Sequence, residues 1–166
     1  MQESRFALTD RDRHPLRRWL PWLDQVQSVR ESLEYMLQCI EQQPAGDGPT
    51  FAIYHTKNLI GIVGFHPKDQ QQESAALGYW LSQNYAGRGI VTAATATLLN
   101  LGFNDMQLSR IELHCHVDNS ASRPIAEKLG VHLTELRTNS EWLYDHWADQ
   151  AIYHLLKEDY AIEGDR

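Results

Sequence analysis

Cysteine is scarce in this 166-residue chain: Cys39 and Cys115 are the only two, far apart and in no CxxC pair. A disulfide framework is thereby excluded, and both thiols are expected free in a reducing cytoplasm. Long apolar runs are missing too. No stretch approaches the ~18 residues that a membrane span requires. Met1-Gln2-Glu3-Ser4-Arg5 has none of the apolar character of a secretory leader. No membrane partner is expected. Basic charge is in short supply: 15 Lys and Arg face 22 Asp and Glu, for a formal net charge of −7. The one basic cluster, Arg11-Asp12-Arg13-His14-Pro15-Leu16-Arg17-Arg18, is too small to track a phosphate backbone, so no direct nucleic-acid partner is expected. An acidic surface favours instead a cationic acceptor such as an amine. Internal repeats and low-complexity segments are absent as well.

What is present suits one domain spanning residues 1–166, with a core large enough to need neither disulfide nor metal. Leu16, Trp19, Leu20 and Leu23 recur at helical spacing, although Pro15 and Pro21 limit that run. Ser28-Val29-Arg30-Glu31 has the form of a capping box, and Val29, Leu33, Met36, Leu37 and Ile40 make one apolar stripe behind it. Pro44-Ala45-Gly46-Asp47-Gly48-Pro49 should break this helix and form a loop. Strands are expected over residues 50–54, 59–65 and 75–81, the second covered on both faces because it is almost wholly apolar. A helix should begin at Ile90, a strand should fill residues 110–116, and Asn119 or Ser120 should cap a short helix ending at Gly130. Strands return over residues 131–135 and 150–156. The expected fold class is α/β with a mixed sheet and helices on both faces.

The informative unit is the strand, turn and helix over residues 78–101. Asn84-Tyr85-Ala86-Gly87-Arg88-Gly89 opens directly into the helix at Ile90. The first amides of a helix have no internal partner, and the dipole adds positive character there. Two glycines let the backbone curve and a ligand approach closely. Together they suit a phosphate or diphosphate, and Arg88 adds a charge. A P-loop would need Gly-Lys-Ser/Thr, where this chain has Gly89-Ile90-Val91. A dinucleotide fingerprint would need a third small residue where Thr92 stands. A plain strand-to-helix turn fits the same residues.

The wider context resembles the GNAT acetyltransferase superfamily, specifically its RimJ/RimL-like branch, which includes the ribosomal-protein-serine acetyltransferases. The loop matches both glycine positions of the family's Gln/Arg-x-x-Gly-x-Gly/Ala pattern, with Asn84 departing from the usual first residue. Leu77-Gly78-Tyr79-Trp80-Leu81 precedes it, as in this branch. Cys115-His116-Val117-Asp118-Asn119-Ser120-Ala121-Ser122, then Ala126-Glu127-Lys128-Leu129-Gly130, resembles the second signature, and Arg17-Arg18-Trp19-Leu20-Pro21-Trp22 an early helical segment. The likeness runs from about residue 6 to about residue 157.

The resemblance implies a GNAT fold, with a mostly antiparallel mixed sheet. Members usually begin with a strand, so here the first strand is expected to be absent or supplied by a partner chain. It implies direct transfer of acetyl from acetyl-CoA to an amine, without an acyl-enzyme and without metal. Gly87, Arg88, Gly89 and Ile90 would hold the diphosphate, with Asn84 beside them. Leu81 would offer a backbone amide to the developing oxyanion, and Asn119 would contact the pantetheine arm. Glu141 would be the general base and Ser122 the acid that protonates the leaving sulfur. A solvated loop glutamate and a helix-start serine are the plainer readings of these two. The acceptor would be the N-terminal α-amine of a protein. Alternatives are a small toxic amine or aminoacyl compound acetylated for resistance, and a non-catalytic acetyl-CoA-binding module. The branch also suggests a homodimer. Cys115 reads as a buried strand residue. His114 and His116 share a strand face with His132 nearby, but a zinc site needs a third well-placed ligand that the sequence does not supply. Trp19, Trp22, Trp142 and Trp147 are candidates to wall an acceptor pocket or to pack in a core.

Overall fold

The computed structural model describes residues 2–42 and 48–164. Three helices lead: α1 (Gln2–Arg11), α2 (Arg13–Arg17) and α3 (Val29–Gln42), with a 3-10 turn at Leu23–Gln25. Then come β1 (Thr50–His55), β2 (Asn58–Phe65), β3 (Ser74–Leu81), α4 (Ile90–Asn100), β4 (Arg110–His116), α5 (Arg123–Lys128), β5 (His132–Leu143), β6 (His146–Leu156) and α6 (Lys157–Gly164). The six strands form one sheet in the order β1-β2-β3-β4-β6-β5. Only β3 and β4 are parallel, because α4 carries the chain across the sheet between them. Among the described residues a helix comes first and no strand precedes it, so the family's usual first strand is absent from this sheet.

The parallel pair matters most. β3 and β4 pair only from Ser74 opposite Arg110 to Leu77 opposite Leu113. Beyond that β3 runs on to Leu81 and β4 to His116, so the two strands diverge. The register along β3 shows what the divergence exposes. The Ala76 carbonyl accepts from the His66 amide and the Ser82 amide donates to the Ile60 carbonyl, so the even-numbered residues bond to β2. The amides of Tyr79 and Leu81 therefore face the gap where β4 has left.

Both sheet faces are covered. Under α4 lies the main core, including Val63, Leu77, Leu98, Phe103, Ile111 and Tyr153. Under α1 and α2 a second cluster joins Leu8, Leu16, Leu23, Leu59 and Trp80. Each such fully buried aliphatic side chain contributes about 1.5–3 kcal/mol. β2 is buried almost end to end, as its apolar run predicts.

The expected capping box forms with one shift. Ser28 Oγ accepts from the Glu31 amide (3.3 Å), while Glu31 accepts from the Gln27 amide (2.7 Å) rather than from that of Ser28. The apolar stripe on α3 is not the buried face. Val29, Leu37 and Ile40 are exposed, and fully buried Ser32 meets α1, where Arg5 donates to it (2.8 Å). Helices α1 and α6 carry no strong apolar period, so the sequence pattern does not reveal them. Pro44, Ala45, Gly46 and Asp47 of the expected loop lie outside the described residues. The last two strands are longer than their apolar segments, because they form a hairpin whose outer strand is polar and exposed. No helix among the described residues is long and apolar enough to cross a membrane.

Candidate active site

Two clefts open where β3 and β4 part. The first, about 580 Å³, runs from the start of α4 to α5. Gly89 caps α4 in the left-handed region (φ 75°), and Gly87 shares that conformation (φ 74°), which only glycine adopts without strain. The first helical bond is from Ala93 to the Gly89 carbonyl (3.0 Å), and no amide of residues 87–92 donates to another carbonyl. A Cβ added at Gly87 or Gly89 would meet no atom within 4 Å beyond its own stretch of chain. The corner is thus a row of free donors facing open space, which fits a diphosphate. His14, Arg18, Arg88 and Lys128 also line this cleft, and no Asp or Glu does. In a chain of net charge −7, that separation creates a local positive field.

Arg88 folds back on the turn. It donates to the Asn84 carbonyl (3.0 Å) and lies over the Tyr85 ring (5.2 Å). Leu81 and Ile90 line the cleft and Asn84 does not; the Asn84 carbonyl accepts from Arg88. Asp12, buried, anchors the turn from behind. It accepts from Arg11 (2.8 Å) and from the Gln83 amide (3.3 Å), while Arg11 reaches Ser82 (2.8 Å). The Arg11 hydrogen bond holds the Asp12 carboxyl below the usual carboxylate range. Three arginines of the basic cluster are spent in this way: besides Arg11, Arg13 bonds to the carbonyls of Leu23 and Val26, and Arg17 to Asp24.

The second cleft, about 330 Å³, lies on the other side of the gap. It shares Trp19, Leu20, Tyr79, Trp80, Asn119 and Ser122 with the first, so the two meet. Trp22 and Tyr35 line its outer side, and Glu141 is its one carboxylate. Glu141 stands on β5, not in a loop, beside a register shift that follows Arg137. Its Oε2 is hydrogen-bonded to His116 Nε2. The N-cap of α5 is Ser122, not Asn119 or Ser120 as expected, and it makes no side-chain cap bond; its amide bonds to the Asn119 side chain (3.2 Å) in a turn that precedes the helix. Burial pushes the Tyr79 hydroxyl up to about 12, against the pull of a hydrogen bond with Ser122.

Cys115 lines this cleft as well, and burial pushes its thiol up to about 11. It stays a thiol at neutral pH and is unsuited to nucleophilic attack. His114 bonds to Glu112 (2.7 Å), which also pairs with Arg110 (2.9 Å). Among the described residues no group of three His, Cys, Asp or Glu is placed to hold a metal. Of the tryptophans, Trp19 and Trp22 line the second cleft, whereas Trp142 and Trp147 form an exposed edge-to-face pair (5.4 Å) apart from it. Sequence reasoning missed Tyr79, Lys128 and the role of His116. The first two sit within the quoted signatures, and His116 alternates with Glu112 and His114 on one face of β4.

A split mixed sheet with free amides at the head of α4 is the architecture of the N-acetyltransferases. The chain belongs to the acetyltransferase (GNAT) domain family, whose pattern matches residues 4–132, and is an N-acetyltransferase. It is 28% identical over 138 residues to the ribosomal-protein-serine acetyltransferase of Escherichia coli (strain K12), covering 83% of this chain and 77% of that one. Its fold superposes on RimL, a ribosomal L7/L12 alpha-N-protein acetyltransferase solved with coenzyme A, with a TM-score of 0.90 at 22% identity over 95% of this chain and 89% of that one. The microcin C7 self-immunity acetyltransferase MccE, solved with acetyl-CoA and AMP, gives 0.86 at 26% identity, over 93% and 86%.

Proposed function

We propose that the chain, as one catalytic domain, transfers acetyl directly from acetyl-CoA to the N-terminal α-amine of a protein. The observation that carries this reading is the meeting of the two clefts at Tyr79 and Ser122, one free of acids with unpartnered amides, the other holding a single carboxylate. Acetyl-CoA supplies the acyl group as an activated thioester. The amides of residues 87–90 bind its diphosphate, with Arg88 and Lys128 at the rim. The Leu81 amide, aimed into the gap, donates to the oxygen on which charge develops. An α-amine has a pKa of about 8 and is largely protonated at neutral pH. Glu141 takes that proton, freeing the lone pair for attack. As the carbon–sulfur bond breaks, Ser122 gives its hydroxyl proton to the departing sulfur and regains one from the nitrogen of the tetrahedral adduct, with the Tyr79 hydroxyl hydrogen-bonded beside it. Asn119 orders the turn that presents Ser122.

The protein acceptor is supported by the E. coli relative, which is named for a ribosomal-protein serine. A second reading, a small aminoacyl or nucleotide-linked amine, is supported by the likeness to MccE with its bound AMP and by the modest size of the second cleft. A thiol-release assay with acetyl-CoA separates them. Peptides carrying ribosomal-protein N-termini should turn over, and the same peptides with blocked N-termini should not. Release with small amines alone would refute the protein acceptor. Binding of acetyl-CoA without release for any amine would refute catalysis.

A further inference from the structure

Glu141 has little on its own strand to hold its side chain in place. It lies on the sheet's edge strand, directly after a register shift, and residues 132–140 before it are all exposed. We infer that His116 is a positioning residue that locks this carboxylate for catalysis; the inference rests on Glu141 being the base.

His116 ends β4 and is 6% exposed. Its ring packs against Trp19, with centroids 5.8 Å apart at 54°. Strand β6 lies between it and Glu141, since His116 is opposite Gln150 and Glu141 opposite Ala148. The two side chains reach across that strand to form the bond between Nε2 and Oε2. His116 Nδ1 is buried and has no hydrogen-bond partner among the described residues.

That orphan nitrogen decides the protonation. A carboxylate only accepts, so Nε2 carries the proton and donates it. A proton on Nδ1 would be a buried donor without an acceptor, which is costly for a neutral ring and more so for an imidazolium. His116 is thus placed to donate from Nε2, with Nδ1 facing no acceptor among the described residues. It occupies Oε2 and leaves Oε1, which bonds to no described residue, for the amine. One proton moves from the amine nitrogen to Oε1, the nitrogen lone pair forms the bond to the acyl carbon, the carbon–sulfur bond breaks with the thiolate taking the Ser122 proton, which the adduct nitrogen replaces, and the His116 proton stays on Nε2. Trp19 fixes the imidazole plane from the side where the two clefts meet.

The test pairs spectroscopy of the free protein with two substitutions. Nitrogen-15 NMR of the histidine rings should show His116 with a protonated Nε2 and an unprotonated Nδ1 at neutral pH, and Glu141→Gln should move the Nε2 signal. His116→Gln keeps an N–H donor near the Nε2 position and should retain kcat within about fivefold. His116→Leu loses it, and the freed carboxylate should cost kcat about a hundredfold, the scale of an ångström misplacement. Coenzyme affinity by calorimetry and the KM for acetyl-CoA should hold in both, and the double variant with Glu141→Gln should be no slower than Glu141→Gln alone. A His116→Gln enzyme as slow as His116→Leu, an unimpaired His116→Leu enzyme, or a protonated Nδ1 would overturn the positioning role. If His116→Leu does not fold, the ring NMR and His116→Gln still decide. An unimpaired Glu141→Gln enzyme would remove the base itself, a failure that His116 variants alone do not produce.

Discussion

The two clefts meet at Tyr79, Asn119 and Ser122 yet are built in opposite ways. The first is made of main chain: a left-handed glycine turn, a helix start and a strand edge left bare. Its cations stand around that frame. The second is made of side chains drawn from the turn after α2, from α3 and from the strands of the sheet, and its one carboxylate is hydrogen-bonded to a histidine two strands away. A main-chain site grips what every donor of one kind shares. A side-chain site, changeable one residue at a time, sets what is accepted.

Substitutions that act on one cleft alone sharpen this contrast. Glu141→Gln removes the proposed base and should lower kcat by about 10²–10⁴, the usual weight of positioned proton transfer, with coenzyme affinity unchanged by calorimetry. Gly89→Glu should do the reverse. It puts a charged side chain where the diphosphate sits and strains a positive φ. Losing even two charge-assisted bonds of about 1.5–3 kcal/mol each weakens binding by about a hundredfold or more. Lys128→Glu introduces an acid into the acid-free cleft. It should weaken coenzyme affinity about fivefold, as for an exposed charge worth about 1 kcal/mol, and the effect should fade in high salt.

Asp12→Asn tests the support behind the turn rather than either cleft. The carboxylate form is the one bonded to Arg11 and the Gln83 amide, so its folded-state pKa is lowered. Its stabilisation is full above about pH 4, the unfolded value, and is lost as pH falls through the lower folded value. The variant should be less stable than the parent by about 1–3 kcal/mol near neutrality, and the difference in denaturant midpoint should shrink in acid.

The same contrast explains what can be read from the residues alone. Gly87, Gly89 and Ile90 announce their conformation locally, so the free amides are legible in the order of the residues. The strand at 59–65 is legible from its apolar run and the one at 110–116 from alternating polar and apolar residues. The pair of His116 and Glu141 is not, because β6 must first pass between β4 and β5. Glu141 is reached only through family resemblance, and its surroundings suggest a loop because β5 is exposed along most of its length. The α3 stripe misleads for a related reason: α1, itself weakly patterned, packs on α3 through Arg5 and Ser32 rather than through the apolar residues.

The central claim is that the bare amides at the head of α4 hold the diphosphate. It is tested most directly by following backbone amide resonances as coenzyme A is added. The account predicts that residues 87–92 shift most and that their hydrogen exchange slows, while Trp142 and Trp147 stay still. Binding that leaves residues 87–92 unmoved would contradict it.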